Sequence, residues 1–439
     1  MTVSGPDALE LLSQNRLAES VDPPLLARQL VRVARESAFY QEKYALAGLS
    51  LEDAERIESF HLLPFTEKRE LLADQEEHPP YGRLANRSLR RVHSTSGSTG
   101  RPLYIALTEA DVRATHEAGG RAFRCAGLTS EDSVVHCLNY CLWAGGVTDH
   151  LSLEAAGALV IPFGVGHTRT LIETILALRP TTISCTPSYM SRLEVVLQQE
   201  FGLEPRKLGL RKALFGGEGG LQDPAVRGRI EERWGLRAID ANYGMADVLS
   251  IFGAECEARE GLHFHGQGIL HVELLDPDTL APVPMEGGSR GELVLTNLVR
   301  EAQPLIRFRT NDVVEVTGTD PCRCGRGSFR FRVVGRSDEM VTVRGINVYP
   351  GAVANLLSRE PSRFSGEFQI VLDSPPPFER PLLRIEAATD VDPSLADYVE
   401  ALCRDRLSFS PRVEVLAFGA FPRTEGKTRR VRKSYLERS

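Results

Sequence analysis

Ser133-Val134-Val135-His136-Cys137-Leu138 is a short apolar run, and the pattern that succeeds it decides the architecture. Helical spacing from Gly145 to Ala156 leads into a second such run, Ala158-Leu159-Val160-Ile161-Pro162. The exchange then recurs: a helix from Leu171 to Leu178, the extended Thr181-Thr182-Ile183-Ser184-Cys185, a helix from Ser188 to Gln199, and Lys212-Ala213-Leu214-Phe215, stopped by Gly216-Gly217. A further helix over Asp223 to Trp234 precedes an extended segment from Arg237 to Asn242. Strands that alternate with helices pair in parallel and are covered on both faces, so the expected fold class is α/β with a mainly parallel, doubly wound sheet. Ligands in such sheets sit beyond the carboxyl ends of the strands, where Gly216-Gly217-Glu218 and Asn242-Tyr243-Gly244 fall.

Toward the amino terminus, apolar residues from Pro24 to Leu46 recur at helical spacing. The stretch Leu62-Leu63-Pro64-Phe65-Thr66-Glu67-Lys68 reads as an extended entry into a Thr-capped helix. Beyond Ser250 the pattern changes. Ile269 to Leu275, Gly291 to Thr296 and Ile306 to Val316 alternate like antiparallel strands, which predicts a β-rich subdomain over about residues 251–335. A linker candidate follows Val334-Gly335-Arg336-Ser337-Asp338-Glu339, so the chain divides into residues 1–337 and a small α+β domain over residues 338–439.

The 439 residues suffice for two or three domains, and the 42% hydrophobic and 25% charged fractions are those of an ordinary globular protein. A net charge of -7 offers no global attraction to nucleic acid. No targeting signal and no bilayer-spanning apolar run is present, so the expectation is a cytoplasmic protein without a membrane partner. Eight cysteines in so long a chain point to reduced thiols.

Between the entry helix and the first strand lies Val92-His93-Ser94-Thr95-Ser96-Gly97-Ser98-Thr99-Gly100-Arg101-Pro102-Leu103. Small hydroxylated residues and glycines leave N–H and O–H donors free and let backbone approach phosphate oxygens, although such loops are also common turns. No Lys-Ser or Lys-Thr follows the second glycine, so it is not a Walker A loop.

Further motifs follow in fixed order: Asn242-Tyr243-Gly244-Met245-Ala246-Asp247, Arg307-Phe308-Arg309-Thr310-Asn311-Asp312, Gly335-Arg336-Ser337-Asp338-Glu339, Arg344-Gly345-Ile346-Asn347-Val348-Tyr349-Pro350 and Pro422-Arg423-Thr424-Glu425-Gly426-Lys427. The set resembles the adenylate-forming superfamily of acyl-coenzyme A synthetases and nonribosomal adenylation domains, and within it the phenylacetate–coenzyme A ligase family. The match runs from about Leu25 to the carboxyl terminus.

The resemblance implies ATP-dependent conversion of an acid to its acyl-adenylate, with transfer to coenzyme A. It assigns Ser94, Thr95, Ser96, Gly97, Ser98, Thr99 and Gly100 to the β- and γ-phosphates. Gly216, Gly217 and Glu218 would line the adenine with Tyr243 stacking on it, Asn242, Gly244 and Met245 would bind the nucleotide, Asp312 would take the ribose and Arg336 would contact the nucleotide. Asp247 would hold Mg²⁺, although most relatives have Glu there. Asp338 would be the hinge of a mobile carboxyl-terminal domain, and Lys427 would bridge the carboxylate and α-phosphate in the first half-reaction. Arg344 and Gly345 would approach coenzyme A. The usual loop lysine is absent, as Leu103 follows Pro102, so the resemblance leaves more of the electrostatic task to Mg²⁺ and Lys427. Read without the resemblance, Lys427 belongs to a solvated basic tail, and Asp247 and Asp312 are turn or capping residues.

Cys256, His263, Cys322 and Cys324 give a Cys-x6-His and a Cys-x-Cys pair. Four such ligands suit a closed structural Zn²⁺, and this branch of the family includes members with such a cluster; buried or free thiols are the other reading, and His265 could replace His263. Cys125, Cys137, Cys141, Cys185 and Cys403 read as core residues. By resemblance, Asn139, Tyr140, Trp143, Ala144, Gly145 and Ala241, with Met245, surround the acyl group. The two aromatics are either flat pocket walls or core packing. The expected acid is an aryl acid such as phenylacetate, benzoate or an aminobenzoate (anthranilate type). A carrier protein or protein cysteine is the alternative acceptor, and a homodimer is one assembly the resemblance leaves open.

Overall fold

The computed structural model describes residues 6–83, 88–95, 102–219, 221–344, 346–375, 378–389, 391–392, 394–421 and 430–436. A hairpin of β1 (Arg91–Ser94) and β2 (Tyr104–Leu107) carries the Ser/Thr/Gly loop. The alternating run then forms β3 (Ser133–His136), β4 (Leu159–Pro162), β5 (Thr182–Cys185), β6 (Lys212–Gly216) and β7 (Arg237–Met245). All four pairings among these five strands are parallel. The inner strands are short and apolar because helices cover both faces; every residue of β5 is buried.

Next come β8 (Leu249–Glu255), β9 (Leu262–Phe264), β10 (Leu270–Leu275), β11 (Arg290–Asn297), β12 (Phe308–Gly318) and β13 (Arg330–Arg336). They form no separate sheet. One sheet of eleven strands runs in the order β10-β11-β12-β13-β9-β8-β7-β6-β5-β3-β4. The β-rich stretch is therefore the antiparallel half of the same sheet, and the sheet as a whole is mixed. The switch occurs at β7, which pairs in parallel with β6 and antiparallel with β8.

The helices of residues 109–125 and 144–155 pack on this switch region. The first starts at a capping box, in which Thr108 accepts from the Asp111 N–H and Asp111 from the Thr108 N–H. Ala122, Phe123 and Leu153 from the two helices share a core cluster with Ala241, Ile239 and Ile251 from the sheet. Ala241, expected beside the acyl group, is thus wholly buried core. Its side chain packs within that cluster, while the register shift between β6 and β7 at Gly216 lets the adjoining Asn242 side chain reach Asp149 on the 144–155 helix. Of the five cysteines expected in the core, Cys141 is exposed, in the turn between β3 and the 144–155 helix.

Contacts divide the chain into two compact units: residues 1–218, 230–310 and 314–332, and residues 219–229, 311–313 and 333–439. The second unit contains the hairpin β14 (Val341–Val343) and β15 (Ile346–Val348), then β16 (Phe364–Leu372), β17 (Leu382–Ala387), β18 (Arg412–Leu416) and β19 (Val431–Lys433). The last four form a sheet in the order β18-β17-β16-β19. The helices Pro350–Ser358 and Ser394–Leu407 cover it around Val353, Phe368, Ile385 and Val399. Residues distant in sequence join this unit through ion pairs, such as Arg359 with Asp223 at 2.7 Å. Among the described residues no helix is long and apolar enough to cross a membrane.

Candidate active site and metal centre

The site residues of the first unit gather at the carboxyl ends of β6 and β7. Gly244 occupies its motif position for a backbone reason: a Cβ there would lie 2.1 Å from the Ser250 carbonyl oxygen on β8. The neighbouring Tyr243 ring meets Phe252 and Phe331 edge-on, with centroids 5.1 and 5.3 Å away, and is half-buried. Gly217 takes the left-handed φ of +78° that ends β6, and the added Cβ of a larger residue would lie 3.8 Å from the Trp143 ring. Glu218 is exposed and accepts from the Ser188 N–H and hydroxyl.

Asp247 lies in the turn between β7 and β8, 8% exposed. Lys68 Nζ stands 3.2 Å from its Oδ1 and 3.4 Å from its Oδ2. Behind the turn, the buried Arg300 donates to the Asp247 and Val248 carbonyls at 2.6 and 3.0 Å. Burial lowers the pKa of Arg300, and the charges of Asp111 and Asp247 counteract this. Sequence reasoning misses both Lys68 and Arg300. Lys68 closes the Leu62–Lys68 stretch, which is its one signal; Arg300 belongs to no motif. A carboxylate oxygen is the hard kind of ligand that suits Mg²⁺ whose other ligands come from phosphates and water.

Ser94 and Thr95 form the neck of the expected phosphate loop. The Ser94 N–H donates to Leu142 O at 2.8 Å, the Thr95 N–H donates to Leu103 O at 3.0 Å, and Thr95 Oγ1 accepts from the Leu103 N–H at 3.1 Å. Both backbone donors are therefore engaged, Thr95 in closing the loop and Ser94 with the turn before the 144–155 helix, which departs from the expectation that they are free for phosphate. Ser96, Gly97, Ser98, Thr99 and Gly100 lie outside the described residues, as do Gly345 and Lys427.

The expected acyl segment is stitched to that neck. Ser94 bridges Trp143, and His93 Nε2 meets Thr148 Oγ1 at 3.2 Å. His136, at the end of β3, holds the first turn of the 144–155 helix, with Nε2 3.2 and 3.0 Å from the Gly145 and Gly146 carbonyls. Burial lowers the pKa of His136 to about 4 against those contacts, and burial with the Arg91 charge does the same for His93. Tyr140 bonds His150 Nδ1 at 3.0 Å, and Tyr140, Asn139, Trp143 and Gly145 remain half-buried while Ala144 is buried.

In the second unit, Arg336 joins two expected residues. It donates to Asp312 at 2.9 Å and bidentately to Asp338 at 2.9 and 2.8 Å. Burial opposes its charge, but the Asp338 hydrogen bonds and the Asp312, Asp338 and Glu339 charges outweigh this and raise its pKa. Arg344, with a φ of +49°, pairs with Glu379 at 3.6 Å.

Cys256, His263, Cys322 and Cys324 converge, with ligand atoms within 4.8 Å of one another. Cys256 and Cys322 sulfurs are 3.7 Å apart, and Cys324 Sγ is 3.6 Å from His263 Nε2. Zinc–sulfur bonds of about 2.3 Å make tetrahedral edges of about 3.8 Å, so the group has the dimensions of a closed site. The hydrogen bond from Cys256, aided by His263, holds the Cys324 thiol well below its usual range. The Ala258 N–H points at Cys256 Sγ at 3.3 Å, and Gly325 turns the Cys322–Cys324 knuckle at φ +88°. His265 takes no part: its Nδ1 lies 3.5 Å from Glu10, which also pairs with Arg326 at 2.7 Å.

The AMP-binding enzyme family matches residues 31–297, and its carboxyl-terminal domain matches residues 345–434. The chain is 31% identical to a phenylacetate-coenzyme A ligase of Thermus thermophilus, over 96% of this chain and 98% of that one. It is 33% identical to a phenylacetate-coenzyme A ligase of Aromatoleum evansii, over 75% and 73%. Among solved structures, a 2-hydroxyisobutyryl-CoA ligase in complex with 2-HIB-AMP superposes with a TM-score of 0.85 at 28% identity, covering 98% of this chain and 92% of that chain.

Proposed function

Because the chain belongs to the AMP-binding enzyme family, on its phenylacetate–coenzyme A ligase branch, we propose that it activates an aryl carboxylic acid with ATP and transfers the acyl group to coenzyme A. An AMP-forming acid–CoA ligase must solve one chemical problem. A carboxylate resists thiol attack because its leaving group would be oxide, whereas the mixed anhydride with AMP releases a stabilised phosphate. The observation that carries the aryl assignment is the Trp143 ring beside Gly217, in a turn with half-buried Tyr140 and Gly145: flat walls and little intervening side chain suit a planar acyl group of the phenylacetate, benzoate or aminobenzoate class.

In this reading Asp247 holds Mg²⁺, which when bound offsets phosphate charge, while Lys68 supplies a fixed cation at the same carboxylate. Asp312 takes the ribose hydroxyls and Arg336 the nucleotide. Asp338 serves as the hinge between residues 1–337 and 338–439, and Lys427 offsets charge as two anions meet in adenylation. Cys256, His263, Cys322 and Cys324 hold a structural Zn²⁺.

The test is pyrophosphate release across aryl and alkyl acids, followed by transfer from preformed acyl-adenylate to free coenzyme A or to a carrier protein. Aryl acids should give the highest kcat/KM and coenzyme A should be the acceptor. A preference for short alkyl acids removes the aryl assignment. Lys427→Ala should abolish adenylate formation yet spare thioester formation from synthetic adenylate; equal loss in both halves refutes its assignment to the first.

A further inference from the structure

We propose that Asp149 is a positioning residue: it fixes the orientation of the Asn242 carboxamide so that the amide oxygen is offered to an N–H or O–H donor on the bound ligand. The proposal rests on the acid–CoA ligase reading and deepens it. Asp149 lies one helical turn beyond Gly145 and is wholly buried. Its Oδ2 accepts from Asn242 Nδ2, and its Oδ1 has no hydrogen-bond partner among the described residues. Burial holds the carboxyl well above the usual carboxylate range despite the Asn242 contact. A carboxyl group so placed destabilises the core, because an apolar side chain of like volume would fill the same space without an unpaired oxygen.

Amide chemistry explains what the carboxyl group achieves there. A carboxamide has a donor end and an acceptor end of nearly the same shape, and a freely rotating one presents either. In the structure Asn242 Nδ2 donates to Asp149 Oδ2, which leaves the Asn242 oxygen turned away from that carboxyl group; the protonated group keeps this acceptor role at its carbonyl oxygen. Asn242 is half-buried at the end of β7, and its amide has no second hydrogen-bond partner among the described residues. The neighbouring strand makes room for it. A Cβ on Gly216 would lie 2.6 Å from Asn242 Cβ, so the adjoining position on β6 is left without a side chain. Gly217 and the Trp143 ring come directly after it. An acceptor of fixed orientation at this spot suits two donors, the exocyclic amine of adenine or an amino or hydroxyl substituent on the acid.

Asp149→Leu removes the acceptor that orients Asn242, whereas Asp149→Asn retains one in its amide oxygen. Discrimination is read as two kcat/KM ratios: ATP against purine riboside triphosphate, which lacks the amine, and 2-aminobenzoate against benzoate. Asp149→Leu should lower one ratio about tenfold, the scale of one hydrogen bond, while Asp149→Asn stays near wild type. The ratio that falls names the donor's source. Asn242→Ala should lower the same ratio; it leaves the buried Asp149 carboxyl group without its partner, so its fold is checked by circular dichroism, and Asp149→Asn against wild type carries the test if Asp149→Leu fails to fold. Both ratios unchanged in Asn242→Ala, or a loss in Asp149→Asn as large as in Asp149→Leu, overturns the proposal. If the wild type adenylates no aryl acid, the proposed substrate class falls by itself. The two pairs are then compared by equilibrium binding, where unchanged ratios in Asp149→Leu overturn the positioning role.

Discussion

Lys68 and Asp247 meet across 179 residues of sequence, and their contact changes the charge balance of the site. The Ser/Thr/Gly loop lacks the lysine many adenylating enzymes carry, which on sequence alone leaves the electrostatic task to Mg²⁺ and Lys427. A cation 3.2 Å from Asp247 gives the first unit one of its own. Lys68→Met keeps the apolar stem and removes the charge; it should lower kcat/KM for ATP about tenfold in pyrophosphate release, with little effect on thioester formation from synthetic adenylate. Asp247→Ala should cost about a hundredfold or more in the same assay and weaken the dependence on Mg²⁺. A Lys68→Met enzyme equal to wild type would leave that lysine as a structural partner only. Asp247 is legible in the sequence because it ends a motif, whereas Lys68 is not, because nothing local marks a pairing made by folding. Ala241 departs from expectation for a related reason: the motif beside it suggests the pocket, but folding packs its side chain into the core cluster beneath the 109–125 and 144–155 helices.

At the level of elements, the alternating strands and helices are readable from periodicity because each is apolar by its own sequence. Their joining is not. β13 pairs with β9 across more than sixty positions, so antiparallel strands that read as a subdomain complete the large sheet instead. That pairing also builds the metal centre. His263 on β9 sits opposite Arg330 on β13, just beyond the Cys322–Cys324 knuckle, while Cys256 follows β8. The knuckle is in turn covered from the amino-terminal side, where Glu10 accepts from Arg326 and the Glu10 carbonyl accepts from the Gly327 N–H. Cys322→Ser should therefore reduce bound zinc from about one per chain to near none and lower the melting temperature, with the amino-terminal segment becoming the first site of proteolysis. Wild-type protein purified without chelators and holding no zinc would remove the metal assignment.

Over the whole molecule, buried histidines set a direction for stability against pH. His93 and His136 are both held near pKa 4, mainly by burial, against an ordinary value of 6.5. Between those values the unfolded chain binds protons that the folded chain refuses. The stability they contribute is complete above pH 6.5 and declines as pH falls toward 4, by about 1.4 kcal/mol per pH unit for each histidine. Asp149 acts with the opposite sign. Its raised pKa favours the folded state at low pH, and that benefit is lost as pH rises through the folded value. His265 is likewise held near pKa 4 by burial, so three histidines outweigh one carboxyl over pH 4 to 6.5, and the denaturation midpoint should fall as pH is lowered from 7 to 5. His136→Gln can still donate an N–H toward the Gly145 and Gly146 carbonyls but cannot titrate, so it should flatten the fall by about half. An unchanged slope in that variant would mean that His136 is protonated in the folded protein, and that the turn it holds bears a charge beside the acyl segment.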